Sequence, residues 1–386
     1  MFGARPTRPS PLAAVPHVRE ARCTRRREGD VGCRACVLAC PTEAIWTDAR
    51  GRLRVQEIDC VGCGACASAC PTGAIEVPRI AQEVALRPGR GDAPTTVGCR
   101  LGPDGESGGA PVDARVPCLG ALHPEALAAR LLAAPGSPLR LDASGCARCT
   151  LGRLYPQIEA HVAQAVAFAR LFGVDPYVRV VTQPAGSPST VGNAARHLTR
   201  RELFGAARDR ATERLVEAVS EDVSEAPAGG AGLPPLPHRS DLLAAARGHV
   251  VAGATPPTVP VLGAFFVDWS VSDACDGCAA ANVDGPRCVA RCPTGAWNVA
   301  HEAGAAALTF DAAACTACGA CERACPRSAL QPVPVTATAE GGRLAKRSLP
   351  LVRCRGCHRA IPVSSDGWCG NCRKRVGAGP VRAREA

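Results

Sequence analysis

One spacing constrains this chain more than any other feature. Residues 60–71 read CVGCGACASACP: Cys60, Cys63 and Cys66 are two residues apart, Cys70 follows after three more, and Pro71 comes next. Three thiols on so short a loop converge on one centre, which is the spacing of metal ligands and not of a dispersed disulfide framework. Pro71 forces the chain out of the turn at Cys70, so the fourth thiol faces away from the other three. The glycines and alanines between the cysteines let backbone N–H groups approach sulfur.

The pattern occurs four times. CRACVLACP at 33–41 supplies Cys33, Cys36, Cys40 and Pro41, and its first cysteine is Cys23, displaced by the insertion TRRREGDVG. Cys315, Cys318, Cys321, Cys325 and Pro326 repeat the intact form. Cys275, Cys278, Cys288, Cys292 and Pro293 repeat the stretched one, with the insertion AAANVDGPR now between the second and third cysteines. PTEAI and PTGAW follow the stretched copies, and the apolar strands GRLRVQEID and AALTFDAA precede the intact ones.

Residues 19–86 and 257–340 thus resemble the bacterial two-cluster ferredoxins, which carry single electrons between redox enzymes. In that family the proline-flanked cysteine ligates the neighbouring cubane. The resemblance implies four [4Fe-4S] clusters. Two are held by Cys23, Cys33, Cys36 and Cys70 and by Cys60, Cys63, Cys66 and Cys40. The other two are held by Cys275, Cys278, Cys288 and Cys325 and by Cys315, Cys318, Cys321 and Cys292. Without Cys23 the first would be a three-iron or labile centre.

The chain between them changes character. TTVGCR at 95–100 and RVPCLG at 115–120 are short apolar approaches ending in cysteine, and PLRLDASGCARC is a strand that reaches Cys146 and Cys149. HPEALAARLLAA is helical, and IEAHVAQAVAFARLFG sets Ile158, Val162, Ala165, Val166 and Ala169 at helical spacing before the strand YVRVVTQP. This order predicts a small α/β unit over 92–186 with Cys99, Cys118, Cys146 and Cys149 at strand ends. Four thiols suit a [2Fe-2S] cluster, one zinc or a dithiol pair, and spacing does not choose among them. The succession of Cys, CxG, GCxxC, helix and RV-containing strand resembles the delta subunit of methyl-viologen-reducing hydrogenases, which passes electrons from hydrogenase to heterodisulfide reductase. That resemblance implies a [2Fe-2S] cluster; the chain departs from the family in its short GCARC spacing and in the later Tyr155. Residues 187–256 hold no cysteine and read as an amphipathic helical segment, a Pro/Gly linker and a short helix, RSDLLAAARGHV.

At 350–376, RCRGCHRAIPVSSDGWCGNC pairs Cys354 and Cys357 with Cys369 and Cys372 around a short hairpin. That is the plan of a zinc ribbon with one Zn, although a single iron would use the same thiols. All 24 cysteines are then assigned. The expected fold is α+β and multidomain: two ferredoxin-like 2[4Fe-4S] units flanking a small α/β cysteine-rich domain, plus the C-terminal ribbon.

Composition agrees with metal-supported folding, because aromatics make up only 3% and leave few large side chains to fill cores. Part of the net charge of +10 comes from the segment after Gly342, where eleven Lys or Arg face Asp366 and Glu385. Such charge suits an acidic partner surface or nucleic acid, and the neighbouring cubanes favour the partner. There is no apolar run of signal-peptide or membrane-span length, so a cytoplasmic location without a membrane span is expected. No nucleotide fingerprint, Ser/His/Asp arrangement, or flavin or molybdopterin motif is present, and the eight His are scattered. The chain therefore reads as a non-catalytic electron-transfer subunit of an oxidoreductase complex. Its expected partner is a hydrogenase, a formate dehydrogenase or a heterodisulfide-reductase-like enzyme, with a soluble or membrane acceptor. Two rival readings are a disulfide or persulfide reductase using Cys146 and Cys149, and a nucleic-acid-binding iron–sulfur protein.

Overall fold

The computed structural model describes residues 15–25, 33–49, 51–77, 86–87, 94–101, 112–182, 236–249, 258–259, 265–278, 286–302, 305–336, 342–362 and 367–376. All the cysteines lie within these residues, and all are free of disulfides. The amphipathic segment expected after residue 187 and most of the Pro/Gly linker lie outside them.

In the first cysteine-rich unit the proline rule decides where helices stop. Helix α1 (Ala35–Ala39) ends at Cys40, whose extended φ −74° and ψ 114° are what Pro41 demands of its predecessor. Helix α2 (Ala65–Ser68) starts from Gly64 at φ +84°, a left-handed entry that favours glycine. Strand β1 (His17–Val18) pairs antiparallel with β4 (Ile75–Glu76), and β2 (Ile45–Thr47) forms a hairpin with β3 (Leu53–Val55). The core between these two ribbons is made largely of the cysteines themselves with Ala44, Ile45, Ala74 and Ile75.

The middle unit is a four-stranded, wholly parallel sheet in the order β6-β5-β7-β8, built from β5 (Thr95–Cys99), β6 (Ala114–Val116), β7 (Leu139–Asp142) and β8 (Val178–Val181). Helix α3 (Pro124–Ala133) makes the β6–β7 crossover and α4 (Tyr155–Leu171) the β7–β8 crossover. Their buried faces, with Leu127, Leu131 and Leu132 on α3 and Ile158, Ala165 and Phe168 on α4, close on Val97, Leu139 and Leu141 of the sheet. His123 caps α3 by accepting the Glu125 N–H on Nδ1 at 3.2 Å, with Pro124 next in the first turn.

This unit extends beyond the boundary expected at residue 186. Helix α5 (Pro237–Arg247) packs on α3, and its Leu242 and Ala246 join the same core as Phe265 and Phe266. Arg239 locks the join: it pairs with buried Glu125 at 2.6 Å, donates to the Phe265 carbonyl at 2.7 Å and lies 4.2 Å from the centre of the Phe266 ring. Phe265 and Phe266, placed by sequence in the second ferredoxin-like unit, therefore belong to the α/β core, because two adjacent aromatic side chains find their apolar environment there.

The second cysteine-rich unit repeats the first with a larger sheet. Strand β9 (Thr258–Val259) pairs with β14 (Val335–Thr336), β10 (Asp268–Val271) with β13 (Leu330–Val333), and β11 (Trp297–Glu302) with β12 (Ala305–Asp311). Helices α6 (Arg287–Arg291) and α7 (Ala320–Ala324) end at Cys292 and Cys325, again just before proline. The eleven-residue β15 (Arg343–Arg353) adds to β12 and continues to pair with β16 (Ala360–Pro362), so one strand joins the ferredoxin-type sheet to the C-terminal cysteines. Helix α8 (Gly370–Val376) closes the chain's described part.

Candidate metal centres

The cysteines gather in six groups. In the first unit the charges that bear on Cys36 are those of Cys70, Cys33 and Cys23, while Cys63 and Cys66 feel Cys40 and Cys60. Cys40, Cys60, Cys63 and Cys66 also line one partly open pocket, together with Ile45 and Val61. In the second unit Cys275 and Cys278 face Cys325, and Cys288 faces Cys278 and Cys275 while also feeling Cys321 of the adjoining group. Cys315, Cys318 and Cys321 face Cys292. In both units, then, the cysteine before proline sits with the opposite loop.

Both insertions are tied at their base. Arg25 donates to the Cys33 carbonyl at 2.9 Å, so Cys23 lies buried near Cys36 even though nine residues separate it from Cys33. At the other insertion the Arg287 amide donates to Cys278 Sγ at 3.4 Å, and Cys278 takes a left-handed φ of +63°.

Burial shapes the thiols. It pushes Cys36 and Cys321 up to about 12 and Cys63 to about 11, and raises Cys66, Cys288 and Cys315 further. A bare thiolate is costly there, and cationic iron would reverse that preference. Donors for sulfur are built in. The amides of Ala74, Ala296 and Ala329 reach Cys70, Cys292 and Cys325 Sγ at 3.3, 3.2 and 3.3 Å, and Thr42, Thr72 and Thr294 Oγ1 stand 3.7, 3.7 and 3.6 Å from Cys40, Cys70 and Cys292. The buried Trp297 Nε1 and Thr316 Oγ1 are turned to ligand thiols, as side-chain hydrogen-bond donors to Cys321 and Cys318. Donors committed to sulfur fit a centre rich in sulfide. The PTxA repeat thus has a function that its recurrence signalled and spacing did not explain.

The middle four cysteines gather at the carboxyl edge of the parallel sheet, where open α/β sheets form their sites. Cys99 ends β5 and hydrogen-bonds Cys118; Cys146 and Cys149 follow β7, and both feel Cys99. The Leu119 and Leu151 amides donate to Cys99 and Cys149 Sγ at 3.2 and 3.4 Å. Asp142 and Arg115 flank the group, the latter donating to the Cys99 carbonyl at 3.1 Å.

Cys354, Cys357, Cys369 and Cys372 are different, because their sulfurs all lie within 4.8 Å of one another. Four thiolates on a tetrahedral zinc stand ~3.8 Å apart at the usual Zn–S bond length, so a set gathered this closely could hold one ion. Among the described residues the four quartets of the two cysteine-rich units do not close to within 4.8 Å, as expected where each thiolate takes its own iron in a four-iron centre. The Cys369 amide, at 3.2 Å, is the main cause that holds Cys354 down at about 6, and the Gly356 amide adds to it. His358 lies outside this ligand set. His123, His161 and His249 serve packing: His161 meets the Leu122 carbonyl at 2.9 Å, and His249 that of Leu132 at 2.6 Å.

Residues 31–74 match the family of 4Fe-4S dicluster domains, and residues 308–331 match a 4Fe-4S binding domain. The chain therefore carries two ferredoxin-type iron–sulfur domains, one near each end. Domains of this kind suggest electron transfer. The first match begins after Cys23, and the second takes in Cys315, Cys318, Cys321 and Cys325 but not the set at 275–292. No curated protein matches the chain. Among the described residues no helix is long and apolar enough to cross a membrane.

Proposed function

We propose that the chain is an electron-transfer subunit of a cytoplasmic oxidoreductase complex, in which its catalytic partner is a hydrogenase, a formate dehydrogenase or a heterodisulfide-reductase-like enzyme. The observation that carries the reading is the exchange of proline-flanked cysteines: Cys40 shares a pocket with Cys60, Cys63 and Cys66, and Cys70 lies with Cys36. That exchange is what two four-thiol centres lying side by side require, and the second unit repeats it with Cys292 and Cys325. In this reading the four quartets of the ferredoxin-type units hold [4Fe-4S] clusters, the middle quartet a [2Fe-2S] cluster and the C-terminal quartet one zinc. The clusters, when bound, supply one-electron carriage. The chain's residues position the ligands, exclude water and set potentials through amide and hydroxyl donors to sulfur.

The middle quartet supports a two-iron centre by its chemistry. Cys99 and Cys118 form one hydrogen-bonded pair, and Cys146 and Cys149 form a second in sequence. A nucleophilic dithiol would need a stabilised thiolate, whereas burial pushes Cys146 up to about 12 and Cys149 in the same direction. Anaerobic purification with iron, sulfide and zinc analysis tests the scheme. It expects about 18 Fe and about one Zn per chain, from four four-iron centres and one two-iron centre. About 16 Fe with about two Zn would remove the middle cluster. Subunits that copurify would identify the catalytic partner.

A further inference from the structure

The first ferredoxin-type unit and the α/β unit meet through their cysteines. Cys63 and Cys118 share one small apolar cluster with Ala65, Leu151 and Leu154, and the Cys63 charge bears on Cys118. A polar clasp crosses the same seam. Gln157 Nε2, in the first turn of α4, stands 3.1 Å from Ser68 Oγ, 3.3 Å from the Ala65 carbonyl and 3.3 Å from the Gly120 carbonyl. Ser68, buried, donates to the Gly120 carbonyl at 2.6 Å. Arg153 adds a bond to the Cys40 carbonyl.

The residues held are not arbitrary. The Ala65 amide is hydrogen-bonded to the Cys63 sulfur and the Gly120 amide to the Cys118 sulfur. Gln157 thus grips the carbonyls of the two residues whose amides serve the facing ligands. The space is tight: a Cβ at Gly120 would stand 3.3 Å from Leu154 Cδ1 and 3.7 Å from Cys118 Sγ.

Resting on the cluster assignment above, we infer that Gln157 and Ser68 are positioning residues that fasten the Cys40/Cys60/Cys63/Cys66 centre to the Cys99/Cys118/Cys146/Cys149 centre as one coupled redox pair. The two ferredoxin-type units are then unequal. The N-terminal one exchanges electrons directly with the middle centre through Cys63 and Cys118. No such sulfur junction joins the middle centre to the second unit among the described residues. Amide donors to sulfur favour the reduced, more negative cluster, so loosening them lowers potentials.

Redox-titrated EPR of the full, metallated chain tests this, comparing the parent with Gln157→Met, which keeps side-chain length without the donor, and with Ser68→Ala. The expected result is that the potentials of the two adjoining centres fall together, and that the relaxation enhancement between their reduced forms weakens. Iron content and the signals of the centres at 275–325 stay at parental values. Full iron content with unchanged potentials and unchanged relaxation in both variants overturns the clasp and leaves the cluster assignment standing. A uniform shift of every centre, the signature of general loosening, also overturns it. A parent protein without a two-iron signal overturns the assignment beneath it and the clasp together.

Discussion

Single residues carry protonation as well as packing. His123 holds the first turn of α3 only while its Nδ1 is an acceptor, and burial, then the charges of His238, His161 and Arg239, hold its pKa well below the usual 6.5. His238 stacks on it at 5.0 Å between ring centres, and Glu125 pairs with Arg239 beside it. A histidine whose folded pKa is depressed binds its proton more readily once unfolded, so its contribution is present above pH 6.5 and is lost as pH falls toward the folded value. Amide protection along α3 is therefore expected to drop as pH is lowered through that window. Asparagine caps helices without titrating, and His123→Asn should flatten the dependence while keeping the helix. A parent and variant with the same pH profile, read by hydrogen exchange, would remove His123 as the cause.

At the scale of elements, the turn after each Cys-Pro needs one left-handed residue: Glu43 at φ +58°, Gly73 at +59°, Gly295 at +68° and Ser328 at +48°. Only two of the four are glycine, and an L-residue in that region costs about 1–2 kcal/mol. Ser328→Gly is expected to stabilise the second unit by about 1 kcal/mol. Gly73→Ala should lose at least as much, since its Cβ would also meet Leu236 Cδ2 at 2.5 Å. Guanidinium midpoints for bleaching of the cluster absorbance measure both. Strand β15 makes a second prediction. Its stretch from Arg343 to Pro350 is zipped to β12, while its last residues, from Leu351 to Arg353, pair with β16 near the C-terminal cysteines. On the proposed assignment of zinc to the C-terminal quartet, chelation of that metal should raise amide exchange from Leu351 onward, leave the iron count unchanged and spare Arg343–Pro350. The elements themselves were open to sequence reasoning, because alternation, helical periodicity and proline act within a few residues. Strands at 95–99, 139–142 and 178–181 and helices at 124–133 and 155–171 fall where the pattern put them. The continuity of β15 was hidden, since the cysteine pairs after it read as a separate module and its pairing to residues 305–311 is long-range.

At the scale of the molecule, local patterns stop deciding. Spacing located the Cys-Pro loops, because a Cys-Pro turn is a local constraint, whereas the grouping of their cysteines across two loops rested on the resemblance to two-cluster ferredoxins. Nothing in the neighbourhood of Gln157 marks it as a bridge to Ala65, and nothing around Phe265 and Phe266 marks them as core for strands more than a hundred residues earlier. Those contacts join what sequence divides: the α/β core is completed by 237–247 and 265–266, and the chain then runs directly into Val267 and Trp269 of the second unit's core. A large-to-small change at this passage should therefore be felt on both sides. Phe266 is fully buried, packs on Phe168 at 5.8 Å between ring centres and lies under Arg239. Phe266→Ala is expected to cost about 3–5 kcal/mol, from lost burial and the cavity left behind. It also removes the ring that shelters the Arg239–Glu125 pair, so protection should fall in α3 and α5 before it falls in the N-terminal unit. Hydrogen exchange of the metallated chain reads this order. Loss confined to 268–336, with α3 and α5 unchanged, would mean that Phe266 serves the second unit alone and that the α/β core closes without it.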